Sequence, residues 1–179
     1  MPRKKTAPLV TELRQLTRKY PKTASMELLI ADLNGVLRGK RIRQQEFEKT
    51  FSDGFYLPGG TVLLDTSGDV VEGIRYMDGD GDPDIQARIV PGSVAPVPWA
   101  ARPMAQAMFR FFELDGSPFF ADPRHVLERA AAPFHKMGLK IVMATELEFY
   151  LLDAKADRPT ACVPKVPGIG RPQIGPQVY

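Results

Sequence analysis

The chain has 179 residues, of which 44% are hydrophobic, so it can bury a core as one domain or as a small domain plus part of another. Its longest apolar run, near residues 149–152, is far shorter than the roughly 20 residues of a membrane-spanning helix. The N-terminus is basic, but the apolar segment that a secretory signal requires does not follow it. The single cysteine, Cys162, can form no internal disulfide. We therefore expect a cytoplasmic protein without a membrane span.

The net charge of +3 and the pI near 9.0 raise the question of nucleic-acid binding. The densest basic cluster consists of Arg38, Lys40, Arg41 and Arg43. On an extended strand, the first two side chains point to one face and the last two to the other. Because this leaves no basic stripe on either face, the sequence predicts no nucleic-acid partner.

The first elements along the chain are a helix and a hairpin. Leucines at helical spacing predict a short amphipathic helix within an N-terminal arm over residues 1–24. Two extended runs, residues 26–33 and 36–42, follow and are joined at Asn34-Gly35, a dipeptide typical of a tight β-hairpin.

The next segment is predicted to be rich in strands, with one helix. Residues 44–51 have helical spacing, and short strands are predicted at residues 61–65, 69–72, 85–90 and 107–113. The acidic run from Asp78 to Asp82 resembles the start of a calcium loop. Pro83 and Ile89 stand where such a loop has glycine and glutamate, so we interpret it as a turn.

The pattern changes near Asp122, which is suited to capping a helix that begins at Pro123 and extends towards Gly138. Pro133 lies inside this helix and is expected to kink or split it. A long strand is predicted at residues 140–153, and the prolines and glycines that follow predict an irregular loop. The order of strand, helix and strand is typical of the opening of an α/β domain.

Two carboxylates, Glu146 and Glu148, interrupt the apolar run of this last strand. Residues two apart share one face of a strand, so both carboxylates can converge on one site. Oxygen ligands of this kind suit Mg²⁺ or Mn²⁺ better than zinc. A strand whose glutamate face is simply in contact with water explains the same spacing, and spacing alone favours that explanation.

Several motifs, taken in order, resemble the glutamine synthetase family. Residues 145–153 read Thr-Glu-Leu-Glu-Phe-Tyr-Leu-Leu-Asp, similar to the Glu-x-Glu strand of that family. Residues 32–42 resemble the first hairpin of its amine-ligase branch, which includes γ-glutamylputrescine synthetase. Asp115-Gly116-Ser117-Pro118-Phe119 and Asp122-Pro123-Arg124 lie between the two motifs in the order expected, and the resemblance covers about residues 26 to 179.

The resemblance implies an α+β protein with an N-terminal β-grasp domain at residues 25–118. The start of the catalytic α/β barrel would follow at residues 119–179, and the chain would stop before most of that barrel. It also implies that each active site forms between neighbouring subunits of a ring-shaped homo-oligomer.

The chemistry implied by the family is an ATP-dependent ligation. ATP phosphorylates the γ-carboxylate of glutamate, and ammonia or an amine such as putrescine then attacks the acyl phosphate. Glu146 would bind the nucleotide-side metal and Glu148 the glutamate-side metal, with Mg²⁺ or Mn²⁺ as the ion. No other catalytic or nucleotide-binding residue is assigned within the chain, so it is expected to be inactive by itself.

Two further positions bear on this interpretation. The ammonia-using members carry Phe-Asp-Gly-Ser-Ser in a β-grasp loop where residues 57–61 read Leu-Pro-Gly-Gly-Thr, and the missing carboxylate favours a larger amine. His125 and His135 diverge on their helix and are expected to face solvent or cap the helix rather than bind metal.

The alternative to an enzyme segment is a non-catalytic β-grasp module that associates with longer relatives.

Overall fold

A computed structural model of the chain describes residues 8–74, 76 and 81–162. The chain divides into two compact units, Met1–Leu139 and Lys140–Tyr179. No helix in the described part of the chain is long and apolar enough to cross a membrane. Residues 78–80 of the predicted acidic turn and residues 163–179 of the predicted irregular loop lie outside the described residues, so the structure does not address these parts of the two predictions.

The first unit is built on one mixed sheet. Its described elements are α1 (Pro8–Lys19), β1 (Ser25–Ala31), β2 (Leu37–Arg43), α2 (Phe47–Asp53), β3 (Phe55–Pro58), β4 (Asp84–Ile89), β5 (Ala95–Pro96), β6 (Met104–Phe112) and α3 (Pro123–Lys136). Short 3-10 helices precede α2 at Gln44–Glu46 and follow β3 at Gly59–Val62. The strand order is β2-β1-β6-β4-β3, and β5 also pairs with β6.

Strand β6 lies at the centre of this sheet. It is parallel to β1 and antiparallel to β4 and β5, while the β1–β2 and β3–β4 pairs are antiparallel. Alternate side chains of β1 and β6 are buried, as expected for strands that place one face on a core. The buried face of β6 carries Phe109 and Phe111, whose rings pack edge to face at 5.3 Å.

Helix α1 packs onto this core through its leucines. Leu13 and Leu16 are buried on one face. Glu12 anchors the helix from another side, since its carboxylate accepts hydrogen bonds from the backbone N–H groups of Gly92 and Val94 at 2.9 and 3.0 Å. The N-terminal helix predicted from the leucine spacing is therefore confirmed.

The predicted hairpin, the helix after it, and the strands near residues 85–90 and 107–113 are also confirmed. The strands predicted at residues 61–65 and 69–72 are wrong. In their place the chain forms a 3-10 helix and a single bridge between Leu64 and Val70. The Asp65 carboxylate accepts hydrogen bonds from the N–H groups of Ser67 and Asp69, so a side-chain-closed turn takes up this segment.

Helix α3 begins as predicted. The Asp122 carboxylate accepts from the N–H of Arg124 at 2.8 Å and, through its other oxygen, from the N–H of Phe111 in β6 at 2.7 Å. The expected interruption at Pro133 is wrong, because α3 continues to Lys136. Proline removes only one N–H donor, and the helix ends a few residues later, where the Met137 N–H bonds the Pro133 and Phe134 carbonyls.

In the second unit, residues 140–150 have no regular secondary structure, and the strand predicted at residues 140–153 is wrong. A bridge between Leu152 and Ala161 closes a short turn, with the Cys162 N–H bonded to the Leu151 carbonyl. A strand requires a hydrogen-bonded neighbour, and the described residues of this unit supply none to residues 140–150.

Candidate functional site

The predicted metal ligands Glu146 and Glu148 lie in the segment without regular structure, and both are exposed. Among the described residues, no group of three or more histidine, cysteine, aspartate or glutamate side chains could hold a metal ion. The carboxylate oxygens match the preference of Mg²⁺ and Mn²⁺, but these ions need further ligands. The metal-binding role of the two glutamates remains a prediction, and the described residues do not complete a metal centre.

The loop of residues 57–61 is tightly held. Strand β3 ends at Pro58, and the loop continues into the 3-10 helix with Gly59 and Gly60 both buried. The Gly60 N–H donates to the Asp82 carboxylate at 2.6 Å, and the Thr61 hydroxyl donates to the Pro58 carbonyl at 2.7 Å. The loop has no carboxylate of its own, but Asp82, which is distant in sequence, places one beside it. The sequence pattern did not indicate this contact.

Tyr76 packs against the same loop. A Cβ atom on Gly59 would lie 2.4 Å from the Tyr76 hydroxyl oxygen, so only glycine fits at this position without displacing the tyrosine. Burial raises the pKa of Tyr76 above its ordinary 10.0, and the negative charges of Glu113 and Asp82 add to this rise. The hydroxyl is buried and has no hydrogen-bond partner in the described part of the chain.

A second polar network clamps the β1–β2 hairpin. The Asp32 side chain is fully buried, accepts from the N–H groups of Asn34 and Val36, and pairs with the Arg38 guanidinium at 2.8 Å. Burial acts to raise the pKa of Asp32, but the Arg38 and backbone hydrogen bonds outweigh it and hold the pKa below its ordinary 3.8. Arg38 also donates to the Asp65 carbonyl at 3.0 Å, which ties the hairpin to the following turn.

His125 is 3% exposed, so the expectation that it faces solvent or caps the helix is wrong. Its Nε2 lies 2.9 Å from the Phe111 carbonyl oxygen, and its Nδ1 lies 2.6 Å from a guanidinium nitrogen of Arg110. Because a guanidinium only donates, Nδ1 must accept and Nε2 carries the proton. The ring thus joins α3 to β6, whereas His135, in the last turn of α3, is exposed as expected.

Arg110 also forms an ion pair with Glu128 in α3, and its hydrogen bond lowers the pKa of that carboxyl against the opposing effect of burial. Arg88 in β4 stands directly opposite Arg110 in β6. The guanidinium carbons of Arg88 and Arg110 lie 4.4 and 5.8 Å from the centre of the Phe112 ring. We call Arg88, Arg110, Phe112, His125 and Glu128 the Phe112 cluster. The sequence alone gave no reason to group these residues.

The chain matches known proteins in sequence and in structure. Residues 120–175 match the family model of the glutamine synthetase catalytic domain. The chain is 35% identical over 169 residues to γ-glutamylputrescine synthetase of Escherichia coli K12, covering 94% of this chain and 36% of that protein. It is 30% identical over 131 residues to the glutamate–isopropylamine ligase of a Pseudomonas species, covering 72% and 27%. It is 28% identical over 144 residues to the glutamine synthetase of Pyrococcus abyssi, covering 79% and 28%.

Solved structures agree in fold. A crystal structure of a glutamine synthase homologue superposes with a TM-score of 0.56 at 19% identity, covering 64% of this chain and 27% of that one. The cryo-EM structure of Plasmodium falciparum glutamine synthetase gives 0.55 at 12% identity, covering 77% and 24%.

The curated relatives are named as synthetases and ligases, and the chain belongs to the glutamine synthetase family. The family resemblance predicted from the ordered motifs is confirmed. The chain spans about a third of the length of the curated relatives it matches, among which are enzymes named for joining glutamate to putrescine and to isopropylamine.

Proposed function

We propose that this chain is part of an ATP-dependent ligase that joins the γ-carboxylate of glutamate to an amine. The observation that carries the proposal is the 35% identity to γ-glutamylputrescine synthetase across 94% of the chain. In the complete enzyme, ATP would phosphorylate the γ-carboxylate, and the amine nitrogen would then displace phosphate to form the γ-glutamyl amide. Ammonia is the smaller acceptor that other members of the family use.

The loop of residues 57–61 supports an amine larger than ammonia. It carries no carboxylate of its own, and Tyr76 occupies the space that a side chain at Gly59 would need. Asp82 approaches the loop backbone and places a negative charge beside it. We propose that Asp82 attracts a protonated amine in the way that the carboxylate within the loop does for ammonium in relatives.

The remaining parts of the proposal concern the whole protein. Glu146 and Glu148 would hold Mg²⁺ or Mn²⁺, which would neutralise charge on the nucleotide and on glutamate when bound. Residues 25–118 would form a β-grasp domain and residues 119–179 the start of the catalytic barrel. The helix that follows the first hairpin and the parallel β1–β6 pair support the β-grasp assignment. We further propose a cytoplasmic, ring-shaped homo-oligomer that binds neither nucleic acid nor membrane.

A chimaera tests the enzyme proposal. Residues 1–179 would replace the matching third of the E. coli γ-glutamylputrescine synthetase, and ADP release would be measured with glutamate, ATP and either putrescine or ammonium. We expect turnover with putrescine, and a loss of at least about a hundredfold in Glu146→Ala and Glu148→Ala versions. Glu72→Ala in the same chimaera is the matched control.

A chimaera that folds but does not turn over would contradict the proposal. So would full activity after removal of both carboxylates. The 179-residue chain by itself is expected to be inactive.

A second candidate function is a non-catalytic module that binds longer relatives. The observation that favours it is the exposure of large apolar side chains between residues 142 and 152, with Val142, Leu147 and Tyr150 all more than four-fifths exposed. Size-exclusion chromatography of the chain mixed with the E. coli relative would detect a mixed oligomer. Separate elution of the two proteins would argue against this function.

A further inference from the structure

The Phe112 cluster lies on the face of the sheet opposite the aromatic core. Arg88, Arg110 and Phe112 alternate with the buried Ala87 and Phe111 along β4 and β6. The cluster shares no residue with the loop of residues 57–61 or with the pair Glu146 and Glu148, so its role does not depend on the proposed ligase activity.

The cluster places two like charges together. Arg88 and Arg110 occupy directly opposed positions on neighbouring antiparallel strands, an arrangement that is destabilising for like charges. Both guanidinium groups lie against the ring of Phe112, as the distances of 4.4 and 5.8 Å show. Among the described residues, Glu128 is the one carboxylate paired with either arginine, and it pairs with Arg110. The pair therefore keeps an excess positive charge.

The two arginines are also held in fixed orientations. The Nε and one terminal nitrogen of Arg88 both donate to the Gln86 side-chain oxygen, at 2.9 and 2.5 Å. Arg110 is fixed from the other side by His125 and Glu128. The Arg110 Nε is buried and has no hydrogen-bond partner within the described residues.

The surroundings leave the Arg88 side chain accessible. Arg88 is exposed, and its guanidinium stacks on Phe112, while the His125 ring meets Phe112 edge-on at 5.0 Å. A planar guanidinium that is already oriented loses little conformational freedom when it binds an anion, and the donors that Gln86 leaves free suit carboxylate and phosphate oxygens.

We propose that Arg88 and Arg110 form a binding site for an oxyanion, the carboxylate or phosphate group of a small molecule. Arg88 supplies the exposed donors, and Arg110 supplies the second positive charge from a position fixed by α3. The anion relieves the repulsion between the two guanidinium groups. Glu128 competes with the ligand for Arg110.

The test is a titration of the ¹⁵N-labelled 179-residue chain with sodium phosphate in one arm and sodium succinate in the other. We expect the amide signals of residues 86–88 and 110–112 to shift in a saturable way. A response to phosphate alone assigns a phosphoryl ligand, and a response to succinate alone assigns a carboxylate. No saturable shift with either anion would overturn the proposal.

Variants make the test specific. Arg88→Gln is expected to weaken binding about tenfold or more, as for the loss of a hydrogen bond to a charged group. Arg41→Gln removes the same charge from the exposed pair with Glu27 and should leave the affinity unchanged. Equal weakening in both variants would show a non-specific charge effect and overturn the proposal.

Glu128→Gln gives a change of opposite sign. It removes the competing carboxylate from Arg110, so binding should strengthen several-fold. An unchanged affinity would exclude Arg110 from the site and overturn the two-arginine arrangement. Circular dichroism of each variant checks folding. If Arg88→Gln does not fold, Arg88→Lys takes its place. Lysine keeps the charge but lacks the planar set of donors, so we expect an affinity between those of the wild type and a variant without the charge.

Discussion

Strand β6 and the segment of residues 140–150 are both largely apolar in sequence but have different structures. Both are mainly apolar, with charged or polar residues at intervals. Strand β6 pairs with β1 and β4, and its alternate side chains, such as Ala107 and Phe109, are at most 1% exposed. In the segment of residues 140–150, Leu147 is 84% and Tyr150 86% exposed, and no strand forms.

The difference shows that an apolar run becomes a strand only when neighbours satisfy its backbone groups and cover its side chains. For β6 the neighbouring strands are β1 on one side and β4 on the other. For residues 140–150 the described part of the second unit supplies no such neighbour. Substitutions that disturb the pairing in the first unit should therefore be costly, and comparable substitutions in this segment should not be.

The largest effect is expected for Gly39→Ala in β2. A Cβ atom at this position would lie 1.7 Å from the Leu28 carbonyl oxygen, and the backbone φ of 152° is unfavourable for other residues. The β1–β2 pair would have to separate, so we expect a loss of about 4 kcal/mol or more in the free energy of unfolding, measured by urea denaturation. Gly35→Ala, in the turn of the same hairpin, has open space around it and should lose only about 1–2 kcal/mol. Equal losses would contradict the close approach at Gly39.

A pair of phenylalanines compares the two regions directly. Phe109→Ala in the core of the first unit should lower the free energy of unfolding by about 3–5 kcal/mol. Phe149→Ala, at a side chain that is 77% exposed, should change it by less than about 0.5 kcal/mol. Chemical denaturation followed by near-ultraviolet circular dichroism measures both. A substantial loss from Phe149→Ala would mean that residues 140–150 are packed after all.

A smaller effect depends on pH. Because the folded protein holds the pKa of Asp32 below 3.8, its network stabilises the fold at neutral pH, and this contribution is lost as the pH falls through that depressed pKa. Asp32→Asn should cost about 1.5–3 kcal/mol at neutral pH, the value of hydrogen bonds to a charged group. The difference between wild type and variant should shrink when urea unfolding is repeated near pH 2. A difference independent of pH would show that the charge of Asp32 does not contribute.

Most of the first unit could be predicted from local patterns. Asn34-Gly35 predicted the hairpin, and Asp122-Pro123 predicted the start of α3, because both signals act through nearby backbone groups. The strands at residues 61–65 and 69–72 were wrong because the Asp65 side chain closes a turn there.

The candidate sites were harder to predict because they depend on contacts between distant segments. Asp82 approaches Gly60, and Arg88 faces Arg110, only once the sheet has formed. His125 reads as a surface residue on a helix, and its burial results from contacts with β6. Glu146 and Glu148 were predicted as ligands from the family motif alone, and both lie exposed in a segment without regular structure.

The parallel pairing of β1 with β6 has a consequence for the order of folding during synthesis. The β1–β2 hairpin leaves the ribosome early, but β1 lacks its second neighbour until β6 has also emerged. Until then one edge of β1 and the apolar row of Met26, Leu28 and Ile30 are uncovered. Pairing strands so distant in sequence is slow, so the apolar face of the nascent hairpin stays open to association until β6 has been made.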